Sequence, residues 1–259
     1  FDASIVQAQN DAAQPGIVTG RIRTIKADAF VNTTRDGEPL EYHIAMIRAA
    51  GDIETVQANG RGSISDLFID VNGSITKQVT AFNISRLILD ADSNVKSLKA
   101  TGDFRSIRVT AGRIESATAV NIRSSTFIVA GEIKNITASQ QILATAITAD
   151  GPSGSIDKVS AGTGLNGTIT SSGVIGLIET KRNDINALIV TTQDDASVTA
   201  IKAARDALIS LDTASDVGTI TAGRNVGRRV PFGGTVDQLR IDGNLANITA
   251  GGQIYTDII

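Results

Sequence analysis

The sequence predicts an all-β chain: a parallel β-solenoid with coils of about 20 residues, each made of two ten-residue units. Three observations predict it. A phrase of the form G-x-φ-x-x-φ-x-A, with φ apolar, recurs along the chain. A step of twenty runs through it, placing Leu67, Leu87, Ile107, Phe127 and Ile147 at equivalent positions. Large rings are scarce: the chain is 41% hydrophobic but only 3% aromatic, with seven Phe, two Tyr and no Trp. A core of Ile, Val, Leu and Ala suits thin, layered packing, whereas a broad globular core uses more rings.

The phrase appears as GRIRTIKA (20–27), GDIETVQA (51–58), GSISDLFI (62–69), GEIKNITA (131–138), GSIDKVSA (154–161), GVIGLIET (173–180) and GNLANITA (243–250). Variants without the glycine are NISRLILDA (83–91), NVKSLKA (94–100), DINALIV (184–190), SVTAIKA (197–203) and DVGTITA (216–222). Of the 25 glycines, 16 have Ile, Val, Leu or Phe two residues later, where composition alone gives about seven. In TGDFRSIRVTAGRIESATAV (101–120) the phrase is said twice, with Phe104, Ile107, Val109, Ile114, Ala117 and Ala119 as the inward set.

Spacing of two between the second φ and the Ala puts both on one face of a strand. Spacing of three between the two φ positions breaks that parity, so the backbone must bend between them. The leading glycine is expected to add a bend, since it tolerates positive φ. Short strands separated by bends at a fixed period coil and stack in parallel. Apolar positions at 1, 4 and 6 make no helical stripe, and Val, Ile, Thr and Gly favour strands and bends. The stretch 197–211 admits two readings: an amphipathic helix through Val198, Ile201, Leu208 and Leu211, or two more decads. The kept spacing favours the decads. No left-handed hexapeptide pattern occurs, which favours a right-handed coil.

Two segments interrupt the repeat. Residues 30–49 contain Asp36-Gly37, a hairpin signal. Residues 223–234 are rich in Gly and Arg and contain Pro231, and read as a protruding loop. Neither resembles a linker, so residues 1–259 are read as one domain. Ten or so coils at the spacing of paired strands give a rod on the order of 50 Å.

Net charge is −3 and the pI about 5.2, which argues against a nucleic-acid binder. The chain has no Cys, so disulfides and thiolate chemistry are excluded. No apolar run approaches the ~20 residues that span a bilayer. FDASIVQAQNDAAQPG lacks the basic and apolar regions of a leader, so either a leader has been removed or the chain is part of something longer. GGQIYTDII stops inside a phrase without a polar cap. Open strand edges invite pairing, so the expected partners are a longer parent chain or another copy.

Candidate sites are few. GTGLNG (162–167) matches G-x-G-x-x-G, but a dinucleotide site needs a helix to open there, and a strand phrase follows. His43, the only histidine, cannot build a multi-histidine metal site. Asp70 and Asp90, like Asn72 and Asp92, lie one period apart. Stacked they could offer Ca²⁺ its oxygen ligands, or serve as turn residues. Arg105, Arg108, Arg113 and Arg123 occupy outward positions, as a solvated face or a patch for an acidic polymer. N-x-S/T triplets start at Asn32, Asn72, Asn83, Asn135, Asn166 and Asn247. Those at Asn83, Asn135 and Asn247 are expected on the surface. No catalytic, cofactor-binding or metal-binding residue is assigned.

The coil length resembles the 19–20-residue repeats of filamentous-haemagglutinin-like adhesins. GNLANITAGG and DVGTITAGRN resemble more closely the decads of very large repetitive surface proteins of planctomycete-type bacteria. About four-fifths of the chain is covered. The resemblance implies an extracellular or cell-surface location and a structural or adhesive role. The expected function is therefore a non-catalytic structural protein, a rod or filament subunit or a segment of a longer fibre. Alternatives are an adhesin acting through its insertions on a cell-surface or polysaccharide partner, and a polysaccharide-active β-helix enzyme. Such enzymes need clustered carboxylates or basic residues on one face, usually beside aromatic platforms, and the enzyme reading is weakened because the nine aromatics do not cluster.

Overall fold

The computed structural model describes residues 5–7, 22–28, 45–152, 154–228 and 237–259. Among them there are 26 strands and no helix. Two compact units are distinguished, residues 1–120 with 124–128, and residues 121–123 with 129–259. Each unit consists of stacked coils, so the solenoid reading holds.

In the first unit the strands stack in two parallel columns. One runs Ile22–Ala27, Ile53–Ala58, Ile75–Ala81, Leu98–Ala100 and Ala117–Ala119. The other runs Ile5–Gln7, Ala45–Ala49, Ile64–Val71 and Ile84–Val95, then Phe104–Arg105 and Arg108–Ile114. Like pairs with like: Ile64 faces Ile84, Leu67 faces Leu87 and Ile69 faces Leu89. The twenty-residue step is thus the register between neighbouring coils.

The second unit repeats the plan. Ile136–Ala138, Ser155–Ala161, Ile175–Thr180, Val198–Ala203, Val217–Ala222 and Leu245–Ala250 form one column. Ile122–Arg123, Gln141–Ala149, Gly164–Ser171, Ile185–Thr191, Ala207–Thr213, Gln238–Ile241 and Asp257–Ile258 form the other. The ambiguous stretch 197–211 is two strands, because its apolar residues are spaced to meet those of the next coil. Val198 faces Val217 and Ile201 faces Ile220.

Inward positions are closed to solvent. Phe104, Ile107, Val109, Ile114, Ala117 and Ala119 are all buried, as the repeat requires. Each inward side chain lies directly over its equivalent in the next coil, so aliphatic chains fill a narrow interior at crystal-like density. One inward column in the second unit is polar. Ser171 and Thr191 face each other across strands, and the buried Thr191 Oγ1 donates to Thr213 Oγ1 at 2.8 Å. Partnered hydroxyls avoid the cost of orphaned ones.

The bends correct one expectation. The leading glycines of the phrase are expected to bend through positive φ, but none of those described does; the left-handed non-glycine residues lie instead between the two φ positions. They are Asp66, Arg86, Ser106, Ser124 and Ala144, with φ between 47° and 55°. Each steps out just before an inward residue or pair, which restores the parity that spacing of three breaks. The phrase glycines are needed for another reason, close approach of the preceding coil. A Cβ on Gly73 would lie 2.5 Å from Asp52 Oδ1, on Gly102 2.3 Å from Asn83 Oδ1, and on Gly243 2.6 Å from Asp216 Oδ1.

Those oxygens are engaged in a recurring link. The Asp or Asn just before the first φ accepts a backbone N–H from the next coil. Asp52 Oδ1 accepts from Ser74 N at 2.9 Å, Asn83 Oδ1 from Asp103 N at 2.8 Å, and Asp216 Oδ1 from Asn244 N at 2.7 Å. Three links follow one another in the second unit: Asp184 to Asp206 N, Asp206 to Asn225 N, and Asn225 to Gln253 N. Glycine and Asx therefore belong together: the glycine of one coil makes room for the Asx of the coil before it.

Parts of the expected insertions 30–49 and 223–234 lie within the coil stack. Ala45–Ala49 is a strand of the first unit, and Val226 bridges Ala207 and Ile254. Residues 29–44 and 229–236 lie outside the described residues. The stack tolerates such lengths because register is kept around them: Ile25 still meets Val56, and Ile220 meets Ile248.

Candidate functional site

The first unit carries a polar cleft of about 620 Å³ on its outer face. It lies where the left-handed bends stack. Ser65, Ser85 and Arg105 occupy equivalent positions of three coils, paired in register. Arg86 and Ser106, each with positive φ, follow them. The bend takes these residues out of the strand pairing, so their side chains project outward as a column.

A charge cluster orders the cleft wall. Arg86 donates Nε to Asp66 Oδ1 and Nη2 to Asp66 Oδ2, each at 2.5 Å. Arg86 Nη2 also donates to Ser65 Oγ at 3.1 Å, and Ser85 Oγ donates to Ser65 Oγ at 3.2 Å. The bonds from Arg86 hold the Asp66 carboxyl below its ordinary range, against a smaller opposing effect of burial. The same bonds push the Arg86 guanidinium up. A forked pair of this kind fixes the guanidinium in orientation. Arg105 differs. It is exposed, lines the same cleft, and has no carboxylate partner among the described residues. The cleft thus presents guanidinium and hydroxyl donors, with Asp103 and Asn83 at its border.

The second unit has a shallower polar cleft of about 480 Å³, bordered by Asn166, Asn186, Ser210, Leu188 and Asp237. Burial raises the Asp237 carboxyl above its ordinary value, opposed by the charge of Arg228. Its Oδ2 is enclosed without a hydrogen-bond partner among the described residues.

The residues singled out from the sequence are placed as follows. Asp70 and Asp90 do stack in register, but Asp70 Oδ2 accepts from Arg48 Nε at 2.8 Å. Asn72 and Asp92 are exposed. Among the described residues no three His, Asp or Glu side chains gather as metal ligands. Gly164 of GTGLNG opens a strand, Gly164–Ser171, so the turn-and-strand reading of that motif holds. His43 and Asn32 lie outside the described residues. Arg105, Arg108 and Arg123 are exposed and Arg113 is half-buried.

Of the glycosylation triplets expected on the surface, Asn247 is exposed. Asn83 and Asn135 are only half-buried, because their side-chain oxygens are drawn into bonds with Asp103 N and with Thr137 Oγ1. The Asp66–Arg86 pair was not anticipated. Its signal in the sequence is opposite charge one period apart, both directly before the second φ.

Comparison with protein-family models, with curated proteins and with solved structures finds no match.

Proposed function

We propose that the chain is a non-catalytic structural protein of the cell surface or extracellular space, a fibre building block that extends by adding coils. The observation that supports this reading is the last coil. Leu245, Ile248 and Ala250 stand in register over Val217, Ile220 and Ala222, which are buried. Yet the three are themselves only half-buried. Ile254, Ile258 and Ile259 are 47%, 55% and 67% exposed. Among the described residues Leu245–Ala250 pairs on one side alone. An apolar ledge beside an open strand edge favours a further coil.

The same phrase stands at the other end. Ile22–Ala27 reads IRTIKA where 245–250 reads LANITA, and it too pairs on one side among the described residues. A second copy can therefore dock head to tail, with its Ile22 over Leu245, its Ile25 over Ile248 and its Ala27 over Ala250. A further coil of a longer parent chain would use the same ledge. The resemblance to surface-protein repeats supports the location.

Sedimentation of the wild-type chain and of Ile248→Lys tests the docking. Concentration-dependent oligomers are expected for the wild type. Their loss is expected in the variant, whose charge would have to be buried. Oligomers unaffected by Ile248→Lys would overturn it.

A further inference from the structure

We propose that the cleft over the stacked bends of the first unit binds an oxyanion, a carboxylate or sulfate, carried on a hydroxyl-rich saccharide. Independently of how copies associate, four features lead there. First, the donors converge on one side of the coil stack. Arg105 is exposed, lacks a carboxylate partner among the described residues, and shares the cleft with Arg86 and Ser106. Second, Arg86 is held in place. Its Nε and Nη2 are spent on Asp66 and Ser65, which leaves the Nη1 hydrogens for a ligand. A guanidinium already fixed loses little freedom on binding.

Third, the backbone is bent outward by non-glycine residues at Asp66, Arg86 and Ser106, one per coil. Left-handed conformation is costly for a residue that carries a Cβ, and strain of that kind gathers at binding sites. Here it sets successive side chains in a row with the spacing of paired strands, about 4.8 Å. A polymer of hydroxyl-bearing rings that runs along the coil axis would meet an equivalent donor at each coil. Fourth, the lining is polar, with Ser63, Ser65 and Ser85 beside the arginines, and this favours hydroxyl exchange over burial of an apolar group. The acids nearby, Asp66 and Asp103, balance Arg86 and Arg105 in formal charge, so the oxyanion would be held by directed N–H and O–H donors rather than by net positive charge. Asp66 and Arg86 pair at 2.5 Å, and Asp103 lines the border of the cleft.

Calorimetric titration of the full chain tests this with three probes: an oligomer of galacturonate, a neutral galactose oligomer of equal length, and sodium sulfate. Binding of the acidic oligomer is expected, at least tenfold tighter than the neutral one. Arg105→Gln should weaken it about tenfold with an unchanged thermal unfolding midpoint, since Arg105 makes no ion pair among the described residues. Arg205→Gln, which removes an exposed cation in the other unit, should leave it intact. Sulfate that competes weakly would place the oxyanion at the arginines with the sugar adding affinity. Sulfate as tight as the oligomer would limit the site to a free oxyanion and overturn the saccharide. Equal binding of acidic and neutral oligomers, no binding of either, or equal loss in the two arginine variants would overturn the proposal as a whole.

Discussion

Ala144 and Gly102 show how single residues set the coil. Ala144 is exposed, with φ at 49°, so its Cβ is strained and stabilises nothing in return. Gly102 has the opposite problem: a Cβ there would meet Asn83 Oδ1 at 2.3 Å and the Phe82 carbonyl oxygen at 3.0 Å. Exchanges in opposite directions should therefore have opposite effects. Ala144→Gly is expected to stabilise by about 1 kcal/mol, the left-handed penalty less the entropy of glycine. Gly102→Ala is expected to cost about 1–3 kcal/mol through overpacking. Urea unfolding of both variants measures this, and equal signs would contradict it. At this scale the sequence was only half legible. The inward set at 101–120 could be read from spacing, because burial follows parity. The glycine's role could not, because the atom that excludes a Cβ belongs to a coil about twenty residues earlier. The bends were hidden for a related reason: Asp, Arg, Ser and Ala share no chemical mark of a left-handed conformation.

Between elements, neighbouring coils are joined by strand pairing, by Asx links and by outward ion pairs. Lys158 Nζ meets Glu179 at 2.8 Å, and Arg224 Nη2 meets Asp206 at 2.6 Å. The bond from Lys158 holds the Glu179 carboxyl down. Burial pushes Asp206 up, but bonds from Arg224 and Asn225 together outweigh it and the carboxyl ends lower. Asp66 is held down by Arg86 in the same way. Depressed carboxyls bind protons less readily when folded than when unfolded. Their stabilisation is present above the unfolded value near pH 4 and is lost as pH falls through the folded one. Asp237 has the opposite sign. Its folded value is raised by burial, so its charge costs stability as pH rises past the unfolded value. Urea midpoints should fall below about pH 4, and Asp237→Asn should raise the midpoint at pH 7 but not at pH 3. A midpoint flat from pH 7 to 3 would contradict the ion-pair assignment. These pairs were partly foreseeable, since outward positions were known. Which outward residues meet depends on coil length, which varies with the insertions.

For the whole molecule, each unit keeps like over like from coil to coil, and the repeat forecast that architecture because the repeat is the packing rule. Function is less legible for the same reason: the residues that recur are those that fold. What distinguishes this chain lies in the departures, above all the donor-lined cleft at Arg86 and Arg105. The proposed head-to-tail docking would set the first coil of another copy in register over Leu245–Ala250. Because the chain has no cysteine, disulfide trapping of the variant Lys26→Cys/Thr249→Cys tests it directly. Both positions are exposed, and in-register docking would bring their Cα atoms within the 4.4–6.8 Å that a disulfide spans. A ladder of covalent oligomers is expected under mild oxidation, absent in either single variant beyond a dimer. Monomers alone at concentrations where the wild type sediments as oligomers would contradict it.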